Sequence, residues 1–171
     1  SRVQAGTIDN SSACSNYFDY TATQSTNLPV NGIIHATITN GVPLYSQDQC
    51  GIWVDWNRDG DFTDVGEPIA VSGSPGYGPY TAAIVPPAGT TLGMCTMRVR
   101  ITYTGTVLPC GTTQFGEVED YTINVTSLVP NYWTGAVSTE EHNPLNWSLE
   151  HVPAATEDAH ITSLGFQPAT D

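Results

Sequence analysis

Three segments of this chain alternate apolar and polar residues with a period of two, a pattern that confines them to strands with one buried face. In residues 30–39, Val30, Ile34, Ala36 and Ile38 fall on one side, and Asn31, His35, Thr37 and Thr39 on the other. Met97, Val99, Ile101 and Tyr103 alternate with Arg98, Arg100, Thr102 and Thr104, and Tyr121, Ile123 and Val125 alternate with Asp120, Thr122 and Asn124. Gly, Pro, Asn and Asp punctuate the intervals. Weaker strand signals lie at residues 3–8, 17–21, 69–71 and 80–85, and no stretch carries a helical stripe. Short strands without helices predict an all-β protein, an antiparallel β-sandwich of jelly-roll type.

The sandwich is expected to fill residues 1–127, followed by a linker at residues 128–130 and a C-terminal extension at 131–171. The extension contains Trp133 and Trp147 but one strand signal, residues 159–162. About forty residues are too few to fold alone without a staple, and all four cysteines lie upstream. The extension therefore reads as the start of a second β-rich segment, or as an arm that packs on a neighbouring domain or an identical subunit.

Charge narrows the partners. Seventeen acidic residues face four basic ones, for a net charge of −13. The basic residues are Arg2, Arg58, Arg98 and Arg100, and lysine is absent. Such a surface repels phosphate backbones, which argues against nucleic acid. No apolar run reaches the ~18 residues of a membrane span, so direct membrane insertion is not expected. The chain opens without a charged-then-apolar leader, so any signal peptide is expected to have been removed or never included. Cys14, Cys50, Cys95 and Cys110 have neither zinc spacing nor a histidine neighbour. An even count of cysteines predicts two disulfides in an oxidising compartment, with three connectivities open. Cys14–Cys110 with Cys50–Cys95 is favoured, because Cys50 and Cys95 each stand at the start of a strong strand.

Eight of the seventeen acids are clustered in two short segments. In the first, Ile52, Val54 and Trp56 face the core and leave Asp55 and Asn57 on the outer face at a strand end; Asp59 and Gly60 follow. Asp-x-Asn-x-Asp-Gly is the opening half of a calcium loop, with oxygens at alternate positions and a glycine for the reversal. Asp61 would offer its backbone carbonyl, and Phe62 would anchor the loop to apolar surface. An EF-hand places its bidentate Glu where Gly66 stands, and Glu67 comes one residue late, so the loop is closed by Asp64, Glu67 or an acid from elsewhere. All-oxygen ligands on a flexible loop favour Ca²⁺ over zinc, copper or Mg²⁺. The competing reading is a polar turn in which Asp and Asn cap their own backbone. In the second segment Glu119 shares the inward face of Tyr121 and Ile123, where a carboxylate must be satisfied. Metal ligation by Glu119 or Asp120 and a salt bridge to Arg98 or Arg100 both remain open.

The string Gly116-Glu117-Val118-Glu119-Asp120-Tyr121 resembles the signature after which the GEVED domain family is named. The resemblance extends over most of residues 2–126. It takes in Tyr17-x-Asp19-Tyr20-Thr21, Trp53-x-Asp55-Trp56-Asn57-x-Asp59-Gly60-Asp61-Phe62, Met97-Arg98-Val99-Arg100 and Pro109-Cys110-Gly111. It implies an accessory β-sandwich of large secreted bacterial proteins, and hence an extracellular or cell-surface location. Residues 133–135, 146–147, 152–153 and 158–161 resemble the opening of β-rich segments of secreted surface proteins, which would make this chain one piece of a longer protein.

No catalytic constellation is expected. His35, His142, His151 and His160 lack a nucleophile context, Gly73-Ser74 lacks the strand–turn–helix setting of a nucleophile elbow, and Glu117 with Glu119 is an ordinary acidic strand. The expected function is a calcium-stabilised structural or adhesive module, or a subunit of a surface fibre. The alternative is a calcium-dependent carbohydrate-binding accessory domain of a secreted enzyme, with Trp53, Tyr77 and Tyr80 as a stacking platform for a glycan.

Overall fold

The computed structural model describes residues 1–13, 16–112, 115–128, 130–154 and 157–161. The chain divides into two compact units, Ser1–Thr126 and Ser127–Asp171. Among the described residues there is no α-helix, only one 3-10 turn at Pro144–Asn146, and no helix is long and apolar enough to cross a membrane.

The described residues of the first unit form eleven strands: β1 (Arg2–Ala5), β2 (Ile8–Ser11), β3 (Tyr17–Asp19), β4 (Ser25–Pro29), β5 (Ile34–Thr39), β6 (Gln49–Asp55), β7 (Pro68–Ile69), β8 (Val71–Ser72), β9 (Tyr80–Ile84), β10 (Gly93–Thr102) and β11 (Gly116–Thr126). One sheet runs β2-β1-β5-β9-β8; the other runs β3-β11-β10-β6-β7, with β4 also on β11. The period-two segments contain β5, β10 and β11, although β5 begins only at Ile34, after a turn that takes in Val30 and Asn31. Their alternate residues Ile38, Met97, Tyr121 and Ile123 are fully buried between the sheets. Burying each such side chain favours folding by about 1.5–3 kcal/mol, enough to fix the register, since a one-residue slip would turn every one of them to solvent.

Three details differ from the sequence reading. Residues 3–8 are not one strand but part of a β1–β2 hairpin that turns at Gly6, whose φ is 59°. β3 and β4 pair parallel to β11, so the sandwich is not wholly antiparallel. They form one interrupted edge: after β3 the chain turns as Thr23 and Gln24 donate to the Tyr20 carbonyl, then resumes along β11 in the same direction. Residues 69–71 straddle both layers, because β7 pairs with β6 in one sheet and β8 with β9 in the other.

The Cys50–Cys95 disulfide is excluded. Both thiols are free, and the β6–β10 register sets Cys50 opposite Ile101, six positions beyond Cys95. At about 3.3 Å per residue this separates the cysteines by roughly 20 Å, far beyond disulfide reach. Neighbouring antiparallel strands start at opposite ends, so two cysteines at strand starts are driven apart. Cys110 is exposed and also free. Cys14 lies outside the described residues.

The second unit pairs β12 (Asn131–Tyr132) with β13 (Ala159–His160) in parallel. Trp133 and Trp147 are buried edge-to-face at 5.4 Å. Two buried asparagines organise the loops. The Asn146 side-chain oxygen accepts from the Val137 and Ser138 N–H groups, and its amide donates to the Ser138 hydroxyl and the Glu140 carbonyl. Asn131 donates to the His151 carbonyl and accepts from the Leu149 N–H. Side-chain amides do here what a disulfide would do in a small domain.

Cys50 is buried and its thiol is pushed up to about 12, so it carries almost no thiolate at neutral pH. Maleimide or disulfide-exchange labelling of the native chain should leave Cys50 and Cys95 untouched, and both should titrate as free thiols after unfolding without reductant. A cross-linked Cys50–Cys95 peptide by mass spectrometry would contradict the register.

Candidate functional site

The acidic segment is the connection between β6 and β7, adjacent antiparallel strands, and it is tied shut at its base. The Val54 N–H donates to the Glu67 carbonyl (3.0 Å), and the buried Trp56 indole N–H donates to the Gly66 carbonyl (3.0 Å). Asp55, at the end of β6, accepts from the Arg58 N–H (2.7 Å) on one oxygen and the Gly60 N–H (3.1 Å) on the other. Gly60, at φ 90°, supplies the reversal after Asp59. Phe62 is buried beneath the loop with its ring 4.7 Å from the Arg98 guanidinium carbon.

The carboxylates of Asp59, Asp61 and Asp64 present oxygens within 4.8 Å of one another on the exposed side of the loop. Asn57 lies between two of them, its amide nitrogen donating to Asp59 Oδ2 (3.0 Å) and Asp64 Oδ2 (2.6 Å) while its oxygen accepts from the Asp59 N–H. Asp61 accepts from both the backbone N–H and the hydroxyl of Thr63, which hold its carboxyl below the usual range. The Asp61 carboxylate, rather than the expected backbone carbonyl, is the group that joins the cluster.

Glu67, one of the acids expected to close the loop, stands outside that group of three. It is 1% exposed, Oε2 accepts from the Asp64 N–H (3.1 Å), and Oε1 has no hydrogen-bond partner among the described residues. Burial is the main influence raising its pKa; the charges of Asp55, Asp64 and Asp59 add to it and the Asp64 N–H opposes it. The one basic side chain of the loop, Arg58, turns away and donates to Thr91 and to the Met94 carbonyl. Among the described residues, none of the five loop carboxylates has an ion-pair partner.

The second acidic segment does other work. The bidentate Arg98–Asp120 pair spans the outer face of β10 and β11 at 2.7 and 2.6 Å, and the Tyr17 hydroxyl donates to the same carboxylate. Arg100 donates to the carbonyls of Leu108, Cys110 and Gly111 instead of to an acid. Glu119 faces inward as expected, but it accepts from the Tyr121 hydroxyl at 2.9 Å and is not in the loop cluster. It sits on β11, beyond β10 from the loop. Gly116 opens the strand at φ 130°, where a Cβ would collide with the Ile101 carbonyl.

The aromatic platform does not assemble. Tyr80 is fully buried, pointing inward from β9, and Trp53 is 6% exposed. Trp53 lies over Gly51, where a Cβ would strike its ring, so the absence of a side chain two residues back creates its slot. Tyr77 alone is exposed.

The first unit is thus a β-sandwich carrying an acidic hairpin loop and a strand of signature acids, the form of an accessory domain. Residues 49–124 match the model of the GEVED domain, the family whose signature the string at residues 116–121 resembles. The match runs from the start of β6, through the acidic loop, into β11. No curated protein and no solved structure matches the chain significantly.

Removing one partner of a buried ion pair leaves the other uncompensated. Asp120→Ala should lower stability by about 3 kcal/mol in urea unfolding, and Arg98→Ala combined with it should lose clearly less than the sum of the two single changes. Full additivity would show that the pair is not coupled.

Proposed function

We propose that the first unit is a non-catalytic structural and adhesive module of an extracellular or cell-surface protein, braced by one Ca²⁺ in the loop between β6 and β7. The observation that carries this reading is the Glu67 oxygen without a partner, buried beside three clustered carboxylates. A polar turn explains Asp55 and Asn57, whose side chains cap backbone N–H groups. It gives no reason to bury a carboxylate among others, an arrangement that raises the free energy of the loop at neutral pH. A hard cation of high coordination number removes that repulsion. Asp59, Asp61, Asp64 and Glu67 would hold it. Asn57 would join through its oxygen after its amide rotates, because its NH₂ group now bridges Asp59 and Asp64.

A calcium-stiffened loop between two packed strands suits a load-bearing spacer, and residues 131–171 are the natural route to a neighbouring domain or a second subunit. The glycan-binding alternative has less support, since Trp53 and Tyr80 are buried.

Calcium titration with thermal unfolding tests the reading. Binding to the native state alone adds about 2.7 kcal/mol at a hundredfold excess over Kd, a rise in Tm of about 10 °C for a unit of this size. Glu67→Gln should abolish that rise, yet be about 1 kcal/mol more stable than the unsubstituted chain in chelator, because it removes a buried charge. No shift up to about 10 mM Ca²⁺, well above the Kd range of extracellular calcium modules, would refute the brace.

A further inference from the structure

In the second unit, a fully buried residue of β12, Asn131, is gripped from two sides by a loop that a titratable pair closes. On one side the Asn131 amide donates to the His151 carbonyl (3.0 Å), and its side-chain oxygen accepts from the Leu149 N–H (3.1 Å). On the other side its backbone N–H donates to the Asp158 carbonyl (2.8 Å). His151 reaches Glu157 across the loop, Nε2 to Oε1 at 2.7 Å, while Nδ1 lies 3.0 Å from the Leu149 carbonyl oxygen. The Ala154 N–H donates to the second Glu157 oxygen. Two residues past Glu157 the chain enters β13, both of whose residues are exposed. There the Trp133 N–H donates to the His160 carbonyl at 2.7 Å, and the His160 ring lies 5.3 Å from that of Tyr132. So short a strand depends on what holds the chain just before it.

Both partners of the His151 ring are acceptors. A neutral imidazole has one N–H and satisfies one of them, leaving a lone pair against the other; the imidazolium donates to both. We propose that the His151–Glu157 pair is a pH-sensitive clasp: with His151 charged it holds β13 against β12, and with His151 neutral it lets β13 go. The electrostatics agree. The hydrogen bond to Glu157, and after it the Leu149 carbonyl, raises the His151 pKa above its ordinary 6.5, and His151 is the main influence lowering that of Glu157 below 4.5. A raised histidine contributes its stability in full below 6.5 and loses it as pH rises through the folded value. A lowered glutamate contributes in full above 4.5 and loses it as pH falls through its own folded value. The clasp is therefore closed between 4.5 and 6.5 and opens on the alkaline side. The neighbouring charges do not replace it. Asp158 is turned to His160, 2.9 Å away, and β12 presents the Tyr132 phenol. Glu150, next to His151 in the chain, is exposed and held at φ 56°, a conformation costly for a residue with a Cβ. The loop is thus strained at a position that opening would relax.

NMR on the intact chain tests the clasp, with chelator present throughout so that the outcome is independent of the calcium brace. The His151 ring should titrate at a clearly higher pH in the unaltered chain than in Glu157→Gln. Protection of the Asn131 and Trp133 N–H groups against hydrogen exchange, taken relative to the unfolded chain at each pH, should fall severalfold between about pH 6 and about pH 8. Glu157→Gln should show the low value throughout. His151→Arg, charged across this whole range, should keep the high one. The Val137 and Ser138 N–H groups, held by Asn146 in a network without a titrating side chain, should keep their protection. A His151 titration unmoved by Glu157→Gln, or Asn131 and Trp133 protection that ignores pH, would overturn the proposal. So would an equal loss at Val137 and Ser138, which would mean that the whole unit opens rather than β13 alone.

Discussion

The Arg98–Asp120 pair is the interaction on which the rest of the unit is hung. Arg98 stands on β10, the central strand of its sheet, and its two-pronged contact with Asp120 fixes β10 against β11 on the outer face. The same guanidinium covers the Phe62 ring at 4.7 Å and lies 6.0 Å from the centre of the Tyr17 ring. One cation therefore joins the signature strand, the acidic loop and the edge strand β3. A bidentate, stacked geometry is one that Arg can satisfy and Lys cannot. The two acidic motifs, far apart in sequence, are coupled through it.

That coupling separates the roles of the acids. In the signature, Asp120 holds Arg98 while Glu117 and Glu119 turn inward. In the loop, the carboxylates have no arginine to answer them, because Arg58 is engaged by Thr91 and Met94. The Asn57 amide does part of a cation's work by donating to Asp59 and Asp64. It cannot serve Glu67, buried below. Buried charge without a partner is thus concentrated at one residue, and it is on this residue that the proposed calcium brace rests.

Much of this was legible in sequence wherever the signal was local. The period-two pattern marked β5, β10 and β11 and the inward face of Glu119, and the Asp-x-Asn-x-Asp-Gly spacing marked the loop. What was not legible depends on neighbours distant along the chain. Ser25–Pro29 has too little apolar contrast to read as a strand, and forms one through parallel pairing with β11. Trp53 alternates as a surface residue, but Gly51 lets its ring lie flat and buried. Cys50 and Cys95 stood at strand starts, a likeness that antiparallel pairing converts into separation. In sequence Glu67 was one of several candidates to close the loop, beside Asp64 and an acid from elsewhere in the fold. Only its burial sets it apart, and burial comes from Gly66 and Val54 tying the loop base.

The most direct measurement is a crystal structure of the unit grown in Ca²⁺, with anomalous difference density recorded at a wavelength where calcium scatters. The calcium account predicts one peak within about 2.3–2.6 Å of oxygens of Asp59, Asp61, Asp64 and Glu67, with the Asn57 amide rotated to present its oxygen. A loop without a peak in millimolar Ca²⁺, with the Asn57 nitrogen still bridging Asp59 and Asp64, would contradict it.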